Sequence, residues 1–446
     1  MSENKLNFGE FIYNLVNDFY TNYILKSSKP QSNQWTIISC IIMENNNKYK
    51  IICFSTGTKS LPNCNYKSRK FQIFDCHSEI LSLRCFKFFL INALYYHTDK
   101  ENKNNLLSKD EYELFKSMDV FYDIFDFNKN NNKFMIKKGV NFHLYISETP
   151  CGECSNILYN INKRQNLKEM TGSKTLEECL NIINKKNIPK SNDNNNCIKD
   201  NKDNSEEKNN KYYFRTKSIR SDFKVNNLSF SLSCTDKIMI RNILGYQGKY
   251  LSSIIEPIFL KSLIINTSLD NNTNNIELFK DCIDYNKRNL NINTICKIPE
   301  IYFVQHKDEE CLFKGNTKND KNSLPFSTYW YFPNSIKKVD PSNGIKTGGN
   351  VKDIEKLDFL RVKLCNYDLC QNIFNFLAYN RSIFMKYINK IEKYILDNEK
   401  INLDYYDIIC SLISLDYLNK KNIIINENND LKEFIGKKRN IFNNKK

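Results

Sequence analysis

The stretch DCHSEILSLRCFKFFLINALYY, residues 75–96, decides the reading of this chain. From Ile80 onward it is apolar nearly all round for about five turns, the pattern of a helix buried on every side, and the spacing starts that helix near His77. Upstream, QWTIISCIIM (34–43) and KYKIICFSTG (48–57) are rich in β-branched and aromatic residues and are joined through ENNN, a hairpin signal. Residues 5–25 carry apolar positions at helical spacing, and NFHLYISETP (141–150) reads as a strand ended by Pro150, with a helix opening after CGEC. Strand and helix alternate, which argues for an α/β core: a mixed sheet flanked by helices.

Further along, SFSLSC (229–234) leads into DKIMIRNILGYQGKYLSSIIEPIFL, read as one long apolar-periodic element. FSTYWYF (326–332) is a strand before the Gly-rich NGIKTGG, and the chain beyond about residue 352 is helical by periodicity. Residues 187–211 are too polar to repay their ordering entropy and are read as a disordered Asn/Lys-rich insertion within a single domain spanning 1–446. Asn-rich tracts at 101–106 and 270–275 are read as expanded loops.

The chain has 446 residues, 41% hydrophobic, enough for a sizeable core. A net charge of +16, spread over lysines in many segments, suits a polyanionic partner, although a biased Asn, Lys, Ile and Tyr composition also loads a surface with lysine. Sixteen irregularly spaced cysteines and no leader pattern predict free thiols in a reducing compartment. No apolar run reaches the roughly 20 residues of a bilayer span, so a soluble intracellular protein, nuclear or cytoplasmic, is expected.

With only four histidines, metal and proton-transfer candidates are few. His77 and Glu79 form H-x-E at a helix start, and Pro150-Cys151-Gly-Glu-Cys154 follows a strand. H-x-E with P-C-x-x-C is the pairing of zinc-dependent nucleobase deaminases. Imidazole and thiolate suit tetrahedral zinc, three protein ligands leave a position for water, and a carboxylate outside the ligand set can shuttle its proton. Glu79 fits that shuttle. From the residues alone, Cys151 and Cys154 both stand as ligands beside His77. Buried cysteines also serve as small hydrophobes, and a redox C-x-x-C would need a thioredoxin-like context that the sequence lacks.

Five blocks in order, FSTGTKS (54–60), DCHSEI (75–80), NFHLYISETPCGE (141–153), FRTK (214–217) and SCTDKIMIRNILGYQGKYLSSIIEPIFL from Ser233, together closely resemble the adenosine deaminases that act on RNA. The resemblance runs from about residue 34 to the C-terminal helices and implies a cytidine-deaminase-like fold enlarged by C-terminal helices. It implies His77, Cys151 and Cys234 as zinc ligands, with Cys154 a bystander, and Glu79 as the proton carrier. Thr58 and Lys59 match positions that contact the target ribose and a neighbouring phosphate. The family also carries a buried inositol hexakisphosphate. Arg84, Lys237 and Lys346 match positions around it, and Asp75 and Lys217 resemble a polar relay toward the metal. Two departures stand out: Leu83-Arg84 where the family often has two arginines, and Ile240-Arg241 where an arginine-tryptophan pair is expected.

About 30 residues precede the first deaminase-like strand, too few for a double-stranded-RNA-binding domain. The N-terminal helix, the Q-W-T start and LRVKLCNYDLCQNIF resemble the tRNA-specific branch of the family, which acts at position 37 of an alanine tRNA. A tRNA partner is therefore expected, without DNA or membrane. Wobble-position or mRNA editing, and a silent RNA-binding subunit, are the rival readings; the intact H-x-E argues against the last.

Overall fold

The computed structural model describes residues 2–31, 33–61, 70–102, 107–157, 173–185, 212–218, 228–288, 295–305, 322–349 and 357–397, with scattered positions between 409 and 435. The 187–211 insertion lies outside the described residues.

Two strands, β1 (Ile38–Asn45) and β2 (Lys48–Thr56), form the expected antiparallel hairpin. The turn is Asn46-Asn47, with φ of 50° and 62°, left-handed values that asparagine tolerates better than most residues. Gln34 and Trp35 do not extend β1 as read; they pair separately with Asn322 and Ser323. Further strands build the hairpin into an eight-stranded mixed sheet: β3 (Val140–Ile146), β4 (Ser262–Asn266), β5 (Glu300–Val304), β6 (Ser327–Tyr331), β7 (Lys337–Asp340) and β8 (Ile345–Lys346), in the order β5-β4-β3-β1-β2-β6-β7-β8. The β3-β4-β5 pairs are parallel and the rest antiparallel.

The sheet is apolar on both faces because its strands alternate between two cores. Ile38, Cys40 and Ile42 of β1 meet Ile12, Val16 and Tyr20 of helix α1 (Ser2–Tyr23). Ile41 and Met43 face the opposite core with helix α2 (Ser78–Asn102). Leu81, Phe86, Phe89, Leu90 and Leu94 of α2 are all buried, and each such side chain contributes about 1.5–3 kcal/mol by leaving water. The all-round apolar reading is explained by what covers its outer side: helix α5 (Asn366–Tyr379) lies across α2. There the Tyr95 hydroxyl donates to the Asn372 carbonyl at 2.7 Å and its ring stacks on Phe376.

The long element expected after Cys234 is instead broken. Helix α3 (Cys234–Leu244) stops at Gly245, whose φ of 86° suits glycine, and a short turn of helix follows at Gly248–Leu251. The 270–275 tract is likewise not wholly a loop, because Asn272 caps helix α4 (Thr273–Ile283) by accepting from Asn275 N–H at 2.8 Å. The cysteines among the described residues are thiols rather than disulfides. Among those residues no helix is long and apolar enough to cross a membrane.

Candidate active site

The chemistry gathers at the carboxyl ends of β2 and β3 and the first turns of α2 and α3. The loop after β2 begins at Gly57, with φ of 147°; a Cβ there would lie 2.0 Å from the Cys76 carbonyl oxygen and 2.3 Å from Ser327 Oγ. Only glycine allows that approach, and it lets Ser78 N–H reach the Gly57 carbonyl and Cys76 N–H reach the Lys59 carbonyl, both at 3.0 Å. Thr58 is half-buried and Lys59 exposed at the rim, next to the D-C-H-S-E segment.

Asp75 orients His77: its Oδ1 accepts from the backbone N–H at 3.1 Å and from Nδ1 at 2.9 Å. With Nδ1 engaged, Nε2 is the nitrogen left for a metal, the usual arrangement around a metal-ligating histidine. The same carboxylate accepts both bonds from Lys217 Nζ at 2.8 Å, one from Ser231 Oγ at 3.0 Å and a short one from Lys237. Burial pushes the Asp75 carboxyl up, but Lys217, Lys237 and His77 outweigh it and hold it well below the usual carboxylate range.

Cys151 and Cys234 approach across the gap between β3 and α3. Gly152, with φ of 115°, sits where a Cβ would fall 2.3 Å from Ser233 Oγ, so a side chain there would force the two segments apart. Thr235 donates its N–H to the Cys151 carbonyl at 3.0 Å, and Cys234 N–H points at Cys151 Sγ at 3.3 Å. Ser233 caps α3, accepting from Asp236 N–H. The hydrogen bond with Cys234, opposed by burial and helped by Lys217 and His77, holds the Cys151 thiol well below its ordinary range. Burial and its neighbour push Cys234 up. The thiolate is the form that metals bind. His77, pressed down by burial and Lys217 but raised further by Asp75 and Cys151, sits at about 9.

Among the described residues no group of three or more His, Cys, Asp or Glu side chains stands at full metal-binding spacing. The donors meet pairwise instead: His77 and Cys151 act on one another's ionisation, and the Cys234 backbone N–H reaches Cys151 Sγ. One imidazole and two sulfurs, with an ordered carboxylate behind the imidazole and Lys217 Nζ 3.1 Å from Cys234 Sγ, fit zinc in chemistry. Cys154 is buried in the main core, its N–H directed to Thr235 Oγ1. Glu79 is buried beside the donors, accepting from Ser78 Oγ at 3.3 Å, and its charge acts on both Lys217 and Cys234.

Of the residues expected around a polyphosphate, Arg84 lies in a cationic cluster with Lys87, Arg241 and Lys249. Its guanidinium also donates to the Leu364 carbonyl at 3.1 Å. Lys237 is tied to Asp75. Lys346 is exposed on β8, donating to the Phe359 carbonyl at 3.0 Å, and it lies near Lys337, which also feels Lys363. Sequence reading missed Lys87 and Lys249 and took Arg241 only as a departure from the family pattern; Lys87 stands one turn beyond Arg84 on α2, and that spacing was the available signal. Burial first, then Arg84, Arg241 and Lys249, lower Lys87 well below the ordinary lysine range. A cluster of cations with such mutual repulsion fits a polyanion.

A family model described as the adenosine-deaminase (editase) domain matches residues 53–395. The chain is 26% identical over 344 residues to tRNA-specific adenosine deaminase 1 of Schizosaccharomyces pombe, covering 72% of this chain and 74% of that one. To the Saccharomyces cerevisiae protein of the same description it is 26% identical over 304 residues, 62% of each chain. The mouse double-stranded RNA-specific adenosine deaminase is 25% identical over 246 residues, which cover 55% of this chain and 18% of the mouse protein.

Proposed function

The chain belongs to the adenosine-deaminase (editase) domain family, and from that premise we propose that it converts adenosine to inosine in tRNA, at position 37 beside the anticodon of an alanine tRNA. The observation that carries the reading is the meeting of the His77, Cys151 and Cys234 segments, tied together through Asp75 and Lys217, beside a buried Glu79. The likeness to tRNA-specific relatives supports the substrate class.

His77, through the ring nitrogen left by Asp75, would hold zinc together with the two sulfurs. When bound there, zinc supplies a Lewis acid that makes water acidic enough to act as a nucleophile near neutral pH. Glu79 takes one proton from the attacking water and delivers it to the adenine ring nitrogen, then carries the remaining hydroxyl proton to the departing amine, so that C6 becomes a carbonyl, ammonia leaves and inosine remains. Its burial keeps bulk water from competing for that proton. Asp75 holds His77 in one orientation, and Lys217 donates to both Asp75 and the Cys234 sulfur. Thr58 offers a hydroxyl to the ribose and Lys59 a cation to an adjoining phosphate, a contact that positions without specifying sequence. An anticodon-loop base is already unpaired, so flipping it costs less than in a duplex. Inositol hexakisphosphate is the polyanion proposed for the cluster of Arg84, Lys87, Arg241 and Lys249.

The test is to incubate the zinc-loaded protein with total tRNA and, separately, with free adenosine, digest to nucleosides and quantify inosine by mass spectrometry. Inosine in tRNA alone, lost in Glu79→Ala, is the expected result; no inosine in tRNA overturns the reading.

A further inference from the structure

The three segments that meet at the site are far apart in the chain: the Cys151 loop, the strand Arg215–Ser218 that carries Lys217, and the start of α3 at Cys234. One residue is bonded to both of the others. Arg215 Nε donates to Glu153 Oε1 at 2.8 Å, an ion pair whose side chains are 12% and 3% exposed. Glu153, two residues beyond Cys151, also accepts the Tyr213 N–H at 3.1 Å through Oε1 and Asn156 Nδ2 at 3.3 Å through Oε2. On its other side Arg215 donates its backbone N–H to Asp236 Oδ2 at 2.8 Å, and its carbonyl accepts Ser233 N–H at 2.8 Å. Ser233 Oγ shares the same Asp236 oxygen at 2.7 Å. Arg215 is thus bonded through its side chain to the Cys151 loop and through its backbone to the first turn of α3.

We propose that Glu153 and Arg215 are positioning residues that set the separation of Cys151 and Cys234, and thereby the tightness with which this site retains its metal. The proposal rests on the reading of His77, Cys151 and Cys234 as the zinc set. A charge pair that is buried and hydrogen-bonded on both sides has a defined geometry, whereas an apolar contact would let the loop slide. Groups outside the ligand set that orient it typically govern metal affinity by about 10–100-fold.

The experiment measures zinc release to a chromogenic chelator from the purified full chain, and the cobalt-substituted visible spectrum, in wild type, Glu153→Gln, Arg215→Met and Arg215→Lys. Glu153→Gln keeps the shape and removes the charge. It and Arg215→Met are expected to release zinc roughly 10–100-fold faster with shifted cobalt-thiolate bands. Arg215→Lys should recover part of the difference, and a chain carrying both Glu153→Gln and Arg215→Met should release no faster than the worse single variant. Native release rates and an unshifted spectrum in folded variants would overturn the positioning role while leaving the zinc set standing. A wild-type chain that takes up neither zinc nor cobalt would overturn the zinc set itself, and the proposal with it. Should Glu153→Gln fail to fold, Glu153→Asp, which keeps the charge and shortens the reach, is read in the same assay with the same two outcomes.

Discussion

Two histidines, each beside a buried carboxylate, stand at opposite ends of the same sheet. His143, near the start of β3, has both ring nitrogens occupied, by Ser262 Oγ at 2.6 Å and Glu44 Oε2 at 3.2 Å. Glu44 is itself bonded to Tyr49, Asn141 and Lys261. Burial pushes His143 down to about 4 against the pull of Glu44, so it is neutral at physiological pH. His77 has one nitrogen on Asp75 and turns the rest of its ring toward a sulfur. The first network closes on itself, as one that holds a fold together does; the second, under the proposed zinc set, keeps its far ring nitrogen for a ligand.

The largest effect should come from the sulfurs. Cys234→Ser is expected to abolish stoichiometric zinc, measured by elemental analysis of the purified chain, whereas Cys154→Ser should retain it. Zinc lost only from the latter would move the site. In the same assay His77→Gln should lose the metal and His143→Gln keep it, and a reversal would break the comparison between the two histidines.

A smaller effect concerns pH. His143 has a folded pKa below its ordinary 6.5, so the unfolded chain binds the extra proton between that value and about 4. Stability contributed by neutral His143 is therefore present above about 6.5 and is lost as pH falls toward 4, by roughly 3 kcal/mol at most. Glu44, lowered by Lys261 and Tyr49 against its own burial, adds a loss in the same direction at lower pH. Chemical denaturation across that range should show the slope, and His143→Gln should flatten it; an unchanged slope would remove His143 as its source.

Smallest is the change expected at Lys87. In protein stripped of polyphosphate, Lys87→Met relieves repulsion by Arg84, Arg241 and Lys249 and should stabilise the chain by about 1 kcal/mol. With inositol hexakisphosphate added, the same substitution should reduce the rise in Tm that the ligand gives wild type. No rise in wild type would take the polyphosphate out of the proposal.

Much of the catalytic end was legible in the sequence because its chemistry is local. H-x-E and P-C-x-x-C are short motifs at element boundaries, and the hairpin and buried helix around them announce themselves by periodicity. What escaped depends on chain crossings. Glu153 and Arg215 lie 62 residues apart, and nothing in either neighbourhood marks the partner. Lys87 and Lys249 join Arg84 and Arg241 only once α2 meets the end of α3, so each of the two lysines reads alone as a surface charge, and Arg241 reads only as a departure from the family pattern. Gly245 was visible but lost to the apolar run around it, although its left-handed backbone ends the helix. Asn272 shows the opposite error: an Asn-rich tract reads as a loop until one of its members is seen to cap a helix.

The covering of α2 by α5 has a consequence for the order in which a ribosome can finish this protein. Helix α2 ends at Asn102, yet the partners of Arg84 and Tyr95 on its outer side, Leu364 and Asn372, are made more than 250 residues later. At bacterial or eukaryotic synthesis speeds of about 5–20 residues per second, that delay is on the order of tens of seconds. Throughout it the helix that starts just after His77 is without the α5 side chains that cover its outer side, Phe376 against Tyr95 among them.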